Sequence, residues 1–271
     1  MIAAERVVSS YTRSVAAAGA IILVLYSLAV ALVPGAEAQA FLSDWGGAAM
    51  GLTTAAFILR TAFMYRPGDR PRRQWMLIGA AVTMWAFGDG IYALIESSTH
   101  ATPAIPGPQD VFYVAGYVLI PVALLMIAYS YRRLVDMRWP VFVAGGLTAA
   151  MVGVAWLGVL QPSLETTSGQ LAARLILASY PLAVVVLALG PVILILVTIT
   201  RLGTGRLAWP WWFGAAGAGV VAISEISYSY LNFHTGYTSG SFVDYGWMLG
   251  YYLILVAALL ERDVQSLGAP S

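Results

Sequence analysis

The sequence predicts an all-α, polytopic membrane protein of eight transmembrane helices, built as two parallel four-helix repeats with both termini cytoplasmic. Three observations carry this expectation. Of 271 residues, 60% are hydrophobic and only 10% charged, against the roughly 25% charged of an ordinary soluble domain. Apolar stretches of span length recur along the whole chain. Polar motifs of the first half return, in the same order, in the second.

The apolar stretches fall near 14–33, 46–64, 75–96, 111–131, 141–160, 175–200, 208–232 and 243–260. Each has about the 20 residues that a helix needs to cross roughly 30 Å of hydrocarbon. The first follows Arg6 and Arg13 and precedes the small-residue run AEAQA (36–40), a layout shared with cleavable signal peptides. Its length, and its place as partner of the fifth stretch, favour retention as a helix. The second, fifth and seventh contain GGAAMG (46–51), AGGLTAA (144–150) and GAAGAG (214–219), small-residue runs that permit close helix approach. The basic loop RRLVDMRWP (132–140) is the seam between repeats 1–135 and 136–271. No Gly/Ser linker separates them, so they are expected to pack as one membrane domain. Four spans per half is an even number, which gives both halves the same orientation and a pseudo-two-fold axis along the membrane normal.

Arginine sets the orientation, because lysine is absent. Arg6, Arg13, Arg60, Arg66, Arg70, Arg72, Arg73, Arg132, Arg133, Arg138, Arg201, Arg206 and Arg262 all fall on one side, with Glu5, Asp69, Asp136, Glu261 and Asp263. That side is cytoplasmic by the positive-inside rule. The outer half holds Arg174 alone against Glu37, Asp44, Asp89, Glu96, Asp110, Glu165, Glu225 and Asp244. Acidic residues contribute little to orientation, so this outer excess calls for another reason. Without lysine a retinal Schiff base is excluded. Without cysteine, so are disulfides, thiol catalysis and thiolate metal sites.

The repeated residues are ones that lipid disfavours. Asp89 and Tyr92 in WAFGDGIYALIE return 136 positions later as Glu225 and Tyr228 in AISEISYSYLN. Asp110 and Asp244 each precede a Gly-Tyr pair by five intervening residues, Gly116-Tyr117 and Gly250-Tyr251. Helical spacing aligns Asp89, Tyr92 and Glu96 on the third span, with Trp85 one turn further in. It likewise aligns Glu225, Tyr228 and Asn232 on the seventh, Asp110, Tyr113 and Tyr117 on the fourth, and Asp244, Trp247 and Tyr251 on the eighth. Asp110 and Asp244 stand at helix starts, where capping the backbone N–H groups is the simple explanation. Asp89 and Glu225 lie in the outer third of the bilayer. There a carboxylate is bonded to a tyrosine, paired with Arg174, or turned to an outward-facing acidic and aromatic cavity suited to a cation, an amphiphilic amine or a proton.

His100 and His234 occupy nearly equivalent outer positions and define a weak alternative, a metal or haem bridge assisted by Glu96, Asp110 and Asp244. Surface histidines are the commoner case, so no cofactor is expected. The Pro/Gly/Ser-rich segments 99–110 and 234–244 read as rims of the cavity. No phosphate loop, nucleophile elbow or HExxH appears, so neither an enzyme nor a nucleic-acid binder is expected.

The stretch from Trp85 to Leu125, with Trp-x-x-Gly-Asp, a Pro-rich turn and PQDVFYVAGYVLIP, resembles the multi-pass transmembrane sensor modules at the N-termini of bacterial diguanylate cyclases and related signalling proteins. DYGWMLGYYLILVAALLER (244–262) is similar to their closing helix. The matching positions are Asp89, Asp110, Tyr113, Gly116, Tyr117, Asp244, Trp247, Gly250 and Tyr251. The resemblance implies an input domain in a bacterial inner membrane that detects something at or outside the membrane and signals inward through its last helix. The sequence departs from that pattern in carrying no output domain, which points to a truncated receptor or to signalling through a separate cytoplasmic protein. A small transporter of protons, cations or an amphiphile, and a structural subunit of a membrane complex, are the alternatives.

Overall fold

A computed structural model describes residues 8–166, 171–203 and 205–268; Glu5 and Arg6 of the basic side lie outside them. Every regular element among the described residues is helical. The main helices are α1 (Ser10–Leu32), α2 (Ala36–Phe63), α3 (Arg70–Thr99), α4 (Pro108–Ser130), α5 (Arg138–Ala155), α6 (Gln161–Thr166), α7 (Leu171–Ala183), α8 (Gly190–Leu202), α9 (Trp209–His234) and α10 (Phe242–Gly268).

Two of the helix boundaries are internal. α5 runs into α6 through a π-helical turn at Trp156–Leu160, and α7 into α8 through another at Val184–Leu189. In each the amide N–H five residues on, of Gln161 or Gly190, closes the wide turn on Trp156 or Val185. A proline follows at once, Pro162 or Pro191. A proline ring collides with the carbonyl of the preceding turn in a regular α-helix, and widening that turn makes room for it.

Among the described residues, six helical segments are long and apolar enough to cross a membrane: Ser10–Leu32, Arg70–Thr99, Pro108–Arg133, Arg138–Leu160, Ala173–Leu202 and Phe242–Ser266. α2 and α9 have the length, at 28 and 26 residues, but fall short in hydropathy. Their Gly, Ala, Ser and Thr serve packing instead. The α2 residues Ala48, Gly51, Ala55, Ile58 and Ala62 form a buried stripe against α3 and α10. Thr54 and Thr61 on the same helix donate to the carbonyls of Tyr251 (3.2 Å) and Ala258 (3.1 Å) of α10.

The three small-residue runs fare differently. Gly51 of the first packs on Ala86, and Gly217 of the third meets Ile254 and the Gly250 carbonyl. Gly145 and Gly146 of the second face open space. Exposed apolar side chains such as Ile21, Leu25 and Leu32 cover α1, which touches only α2 and α10 substantially.

The two ends of the bundle differ in charge. At the arginine-rich end, Arg60 donates to the Tyr11 hydroxyl (2.7 Å) and Arg262 lies over the Tyr11 ring. There Tyr65 donates to Glu261 (2.6 Å) and the Ser9 amide to Asp263 (2.9 Å). Burial and the adjacent Glu261 hold the Tyr65 phenol far above its ordinary range, so it stays a donor. At the acidic end, Ser239 donates to Glu96 (2.9 Å) and His100 meets Glu37 (3.2 Å).

Candidate functional site

A cavity of about 130 Å³ lies beneath the two loops of the acidic end, lined by residues of α2, α3, α4, α7, α9 and α10. Of the side chains expected at the site, Trp85, Asp89, Tyr92, Asp110, Tyr113, Tyr117, Glu225, Tyr228, Asp244, Trp247 and Tyr251 line it. Glycines open the space: a Cβ on Gly88 would strike the Tyr113 ring, and one on Gly116 the Trp85 indole.

Three of the four repeated carboxylates are already used by the protein. Asp89 of α3 accepts from the Tyr113 hydroxyl of α4 (3.0 Å) and the Tyr251 hydroxyl of α10 (2.9 Å), one on each oxygen. Asp110 accepts from the Gly107 amide (2.6 Å) and from the hydroxyl of Tyr180. Asp244 accepts from the Gly240 amide (2.6 Å) and the Tyr237 hydroxyl (2.5 Å). The two helix-start aspartates therefore do the same job in both halves, tying a preceding glycine N–H and a tyrosine to the first turn. Burial and the Asp244 carboxylate keep the Tyr237 phenol well above its usual range and protonated.

Glu225 is different. It lines the same cavity, half-buried, and the Trp247 indole approaches it without reaching hydrogen-bond geometry. Aromatic rings stand around it: Trp85 packs on Tyr117 (5.3 Å between centroids), Tyr117 on Tyr180 (6.3 Å), and Tyr228 on Trp247 (5.4 Å). The indole N–H groups of Trp85 and Trp247 and the Tyr92 hydroxyl are buried with no protein partner.

Five expected residues lie elsewhere. Glu96 is outside the lining, bonded to Ser239. Asn232 donates to the Tyr228 carbonyl of its own helix (3.0 Å). Arg174 is half-buried outside the cavity, and among the described residues it forms no ion pair with Asp89 or Glu225; of the alternatives for Asp89, the tyrosine bond is the one present. The histidines of the metal alternative are both exposed. His100 meets Glu37, while His234 stacks on Tyr230 (4.2 Å) and reaches the Tyr230 carbonyl with Nδ1 (2.9 Å). Among the described residues no group of three His, Cys, Asp or Glu could hold a metal ion.

The sequence reading missed Ser43 and Asp44 of α2, Tyr180 of α7 and Tyr237 of the 235–241 loop, all in the lining. A signal for one pair existed: Tyr180 follows Asp44 by 136 positions, the same offset that links Asp89 to Glu225. Tyr237 sits in a polar segment with no periodicity to mark it. Below the cavity, sharing Trp85, Val221 and Ile254 as its ceiling, is a second one of about 70 Å³ lined by apolar residues such as Ile78, Leu124, Val184 and Ala188. No family model, curated protein or solved structure matches this chain.

Proposed function

We propose that the chain is an integral membrane sensory domain that binds a small ligand from outside and signals across the membrane. In this reading all eight long helical segments span, α2 and α9 among them, in two parallel repeats with the arginine-rich end and both termini cytoplasmic. The observation that carries it is a polar, aromatic cavity set at the acidic end and closed from below by apolar packing. Helix α10 joins that cavity to the proposed cytoplasmic end as one continuous helix. Asp244, Trp247, Met248, Tyr251 and Ile254 line the cavity, and Glu261 and Asp263 are bonded to Tyr65 and Ser9 at the far end. A ligand that favours one position of α10 would be felt there by a separate signalling protein. The resemblance to bacterial sensor modules is the reason for placing it in a bacterial inner membrane.

Transport is the weaker reading. A polar solute leaving the outer cavity would have to cross Trp85, Val221 and Ile254 into an apolar space, where hydration is lost without replacement. The deciding experiment is thermal stability of the purified protein from pH 5 to 8 with cations, amines and lipids, beside an Asp89→Asn/Glu225→Gln double variant. A ligand or proton shift in the wild type that is missing from the folded variant supports a receptor. Identical profiles would sink it, and flux in reconstituted vesicles would favour the transporter.

A further inference from the structure

Building on the ligand-binding reading, we infer that the cavity takes a small alkylammonium ion, with Glu225 as its counter-charge and the surrounding tyrosine and tryptophan rings as its walls. The counter-charge is the carboxylate that the protein leaves free to meet a ligand. Asp89, Asp110 and Asp244 each have both oxygens occupied by protein donors, and Asp44, the fifth carboxylate of the lining, is engaged with Glu96 and Ser239. Glu225, in the same lining, has no hydrogen bond of that kind. A carboxylate held among aromatic side chains with only the Trp247 indole near it is completed by a proton or by a cation.

The kind of cation follows from what else is present. Calcium requires 6–8 oxygen ligands and magnesium a near-ideal octahedron, and three of the nearby carboxylates are already committed. No described cluster of acids and histidines suits a metal. The walls are instead Trp85, Tyr117, Tyr180, Tyr228 and Trp247, which favour a weakly hydrated organic cation over a strongly hydrated one. Size narrows the choice. At about 130 Å³ the space is slightly smaller than the roughly 150 Å³ cavity that accepts benzene, so a trimethylammonium head fits and a bulky amphiphile does not.

The test uses the full chain in nanodiscs, with choline and tetramethylammonium as probes and the uncharged tert-butyl analogue of choline as control, read by calorimetry and by thermal shift. Choline binding to wild type, at least roughly tenfold weakening for the uncharged analogue, and a similar loss in Glu225→Gln are the expected results. Glu225→Asp should keep part of the affinity, and the comparison of choline with its uncharged analogue on wild type needs no variant to fold. Equal binding of choline and its uncharged analogue, unchanged choline binding in Glu225→Gln, or no binding of either ammonium ion would overturn the inference. Stabilisation by a neutral amphiphile alone would do so while leaving a ligand-binding domain intact. A protein moved by no probe and by no change of pH would overturn both.

Discussion

The Tyr251 hydroxyl of α10 lies 2.9 Å from the Asp89 carboxylate of α3, joining two helices whose bonded residues are 162 positions apart in the chain. With Tyr113 on the other oxygen, the aspartate links three helices at the floor of the cavity. This pairing makes Asp89 and Glu225, the carboxylate 136 positions on, unequal. Asp89→Leu strands two buried phenols and should cost about 1–3 kcal/mol for each, lowering the melting temperature by several degrees with no ligand present. Tyr251→Phe removes one of the two bonds, so the double variant should lose less than the sum, with a coupling of about 0.5–3 kcal/mol. Glu225→Gln breaks no such bond and should melt close to wild type. Additive losses in the thermal cycle would show that the Asp89–Tyr251 bond carries no stability.

Gly217 of α9 and Gly250 of α10 face each other where those helices pack closely. A Cβ on Gly217 would sit 3.0 Å from the Gly250 carbonyl oxygen, and one on Gly250 3.2 Å from that of Gly217. Backbone cannot yield as a flexible side chain can, so Gly217→Ala should destabilise the protein by more than about 1 kcal/mol. Gly145→Ala and Gly146→Ala enter open space and should be neutral or gain about 0.5–1 kcal/mol. Melting curves of the three variants decide, and equal behaviour would mean that the crossing is loose.

These contrasts show what the sequence could carry. Helical periodicity places Trp85, Asp89 and Tyr92 on one face of α3 because that geometry is local, and the cavity lining holds all three. The equivalence of Asp110 and Asp244 was legible for the same reason, since capping is decided within four residues. Which carboxylate remains unbonded was not legible. It depends on Tyr113, Tyr180, Tyr237 and Tyr251 reaching across from other elements, and nothing in the spacing of Asp89 and Glu225 distinguishes them. The small-residue runs 46–51, 144–150 and 214–219 look alike in sequence, yet only partner helices decide whether a glycine such as Gly217 is a crossing point or, like Gly145, faces outward.

At the arginine-rich end, Tyr65 fastens the last turns of α10 through Glu261 (2.6 Å). Tyr65→Phe leaves that carboxylate one donor short and should loosen the end of the helix without disturbing the cavity. Hydrogen exchange should quicken in 258–268 and stay unchanged in 244–252. Faster exchange along the whole of α10 would show that the contact supports the fold generally, and no change would show that the end is held by the Ser9–Asp263 and Thr12 contacts instead.

The absence of cysteine makes single thiols clean reporters of which face each cavity opens to. Met248 lines the cavity at the acidic end beside Asp244 and Trp247, so under the proposed orientation a hydrophilic, membrane-impermeant thiol reagent added outside should react in Met248→Cys, because the attacking thiolate forms only where water and reagent arrive. Val192 lines the apolar cavity on the far side of Trp85, and Val192→Cys should resist the same reagent from either side. Choline present during labelling should slow the reaction at Met248→Cys alone. Labelling of Met248→Cys only from the cytoplasmic side would reverse the orientation that the arginines give. Ready labelling of Val192→Cys would mean that water passes Trp85, which the receptor reading does not allow and a transporter requires.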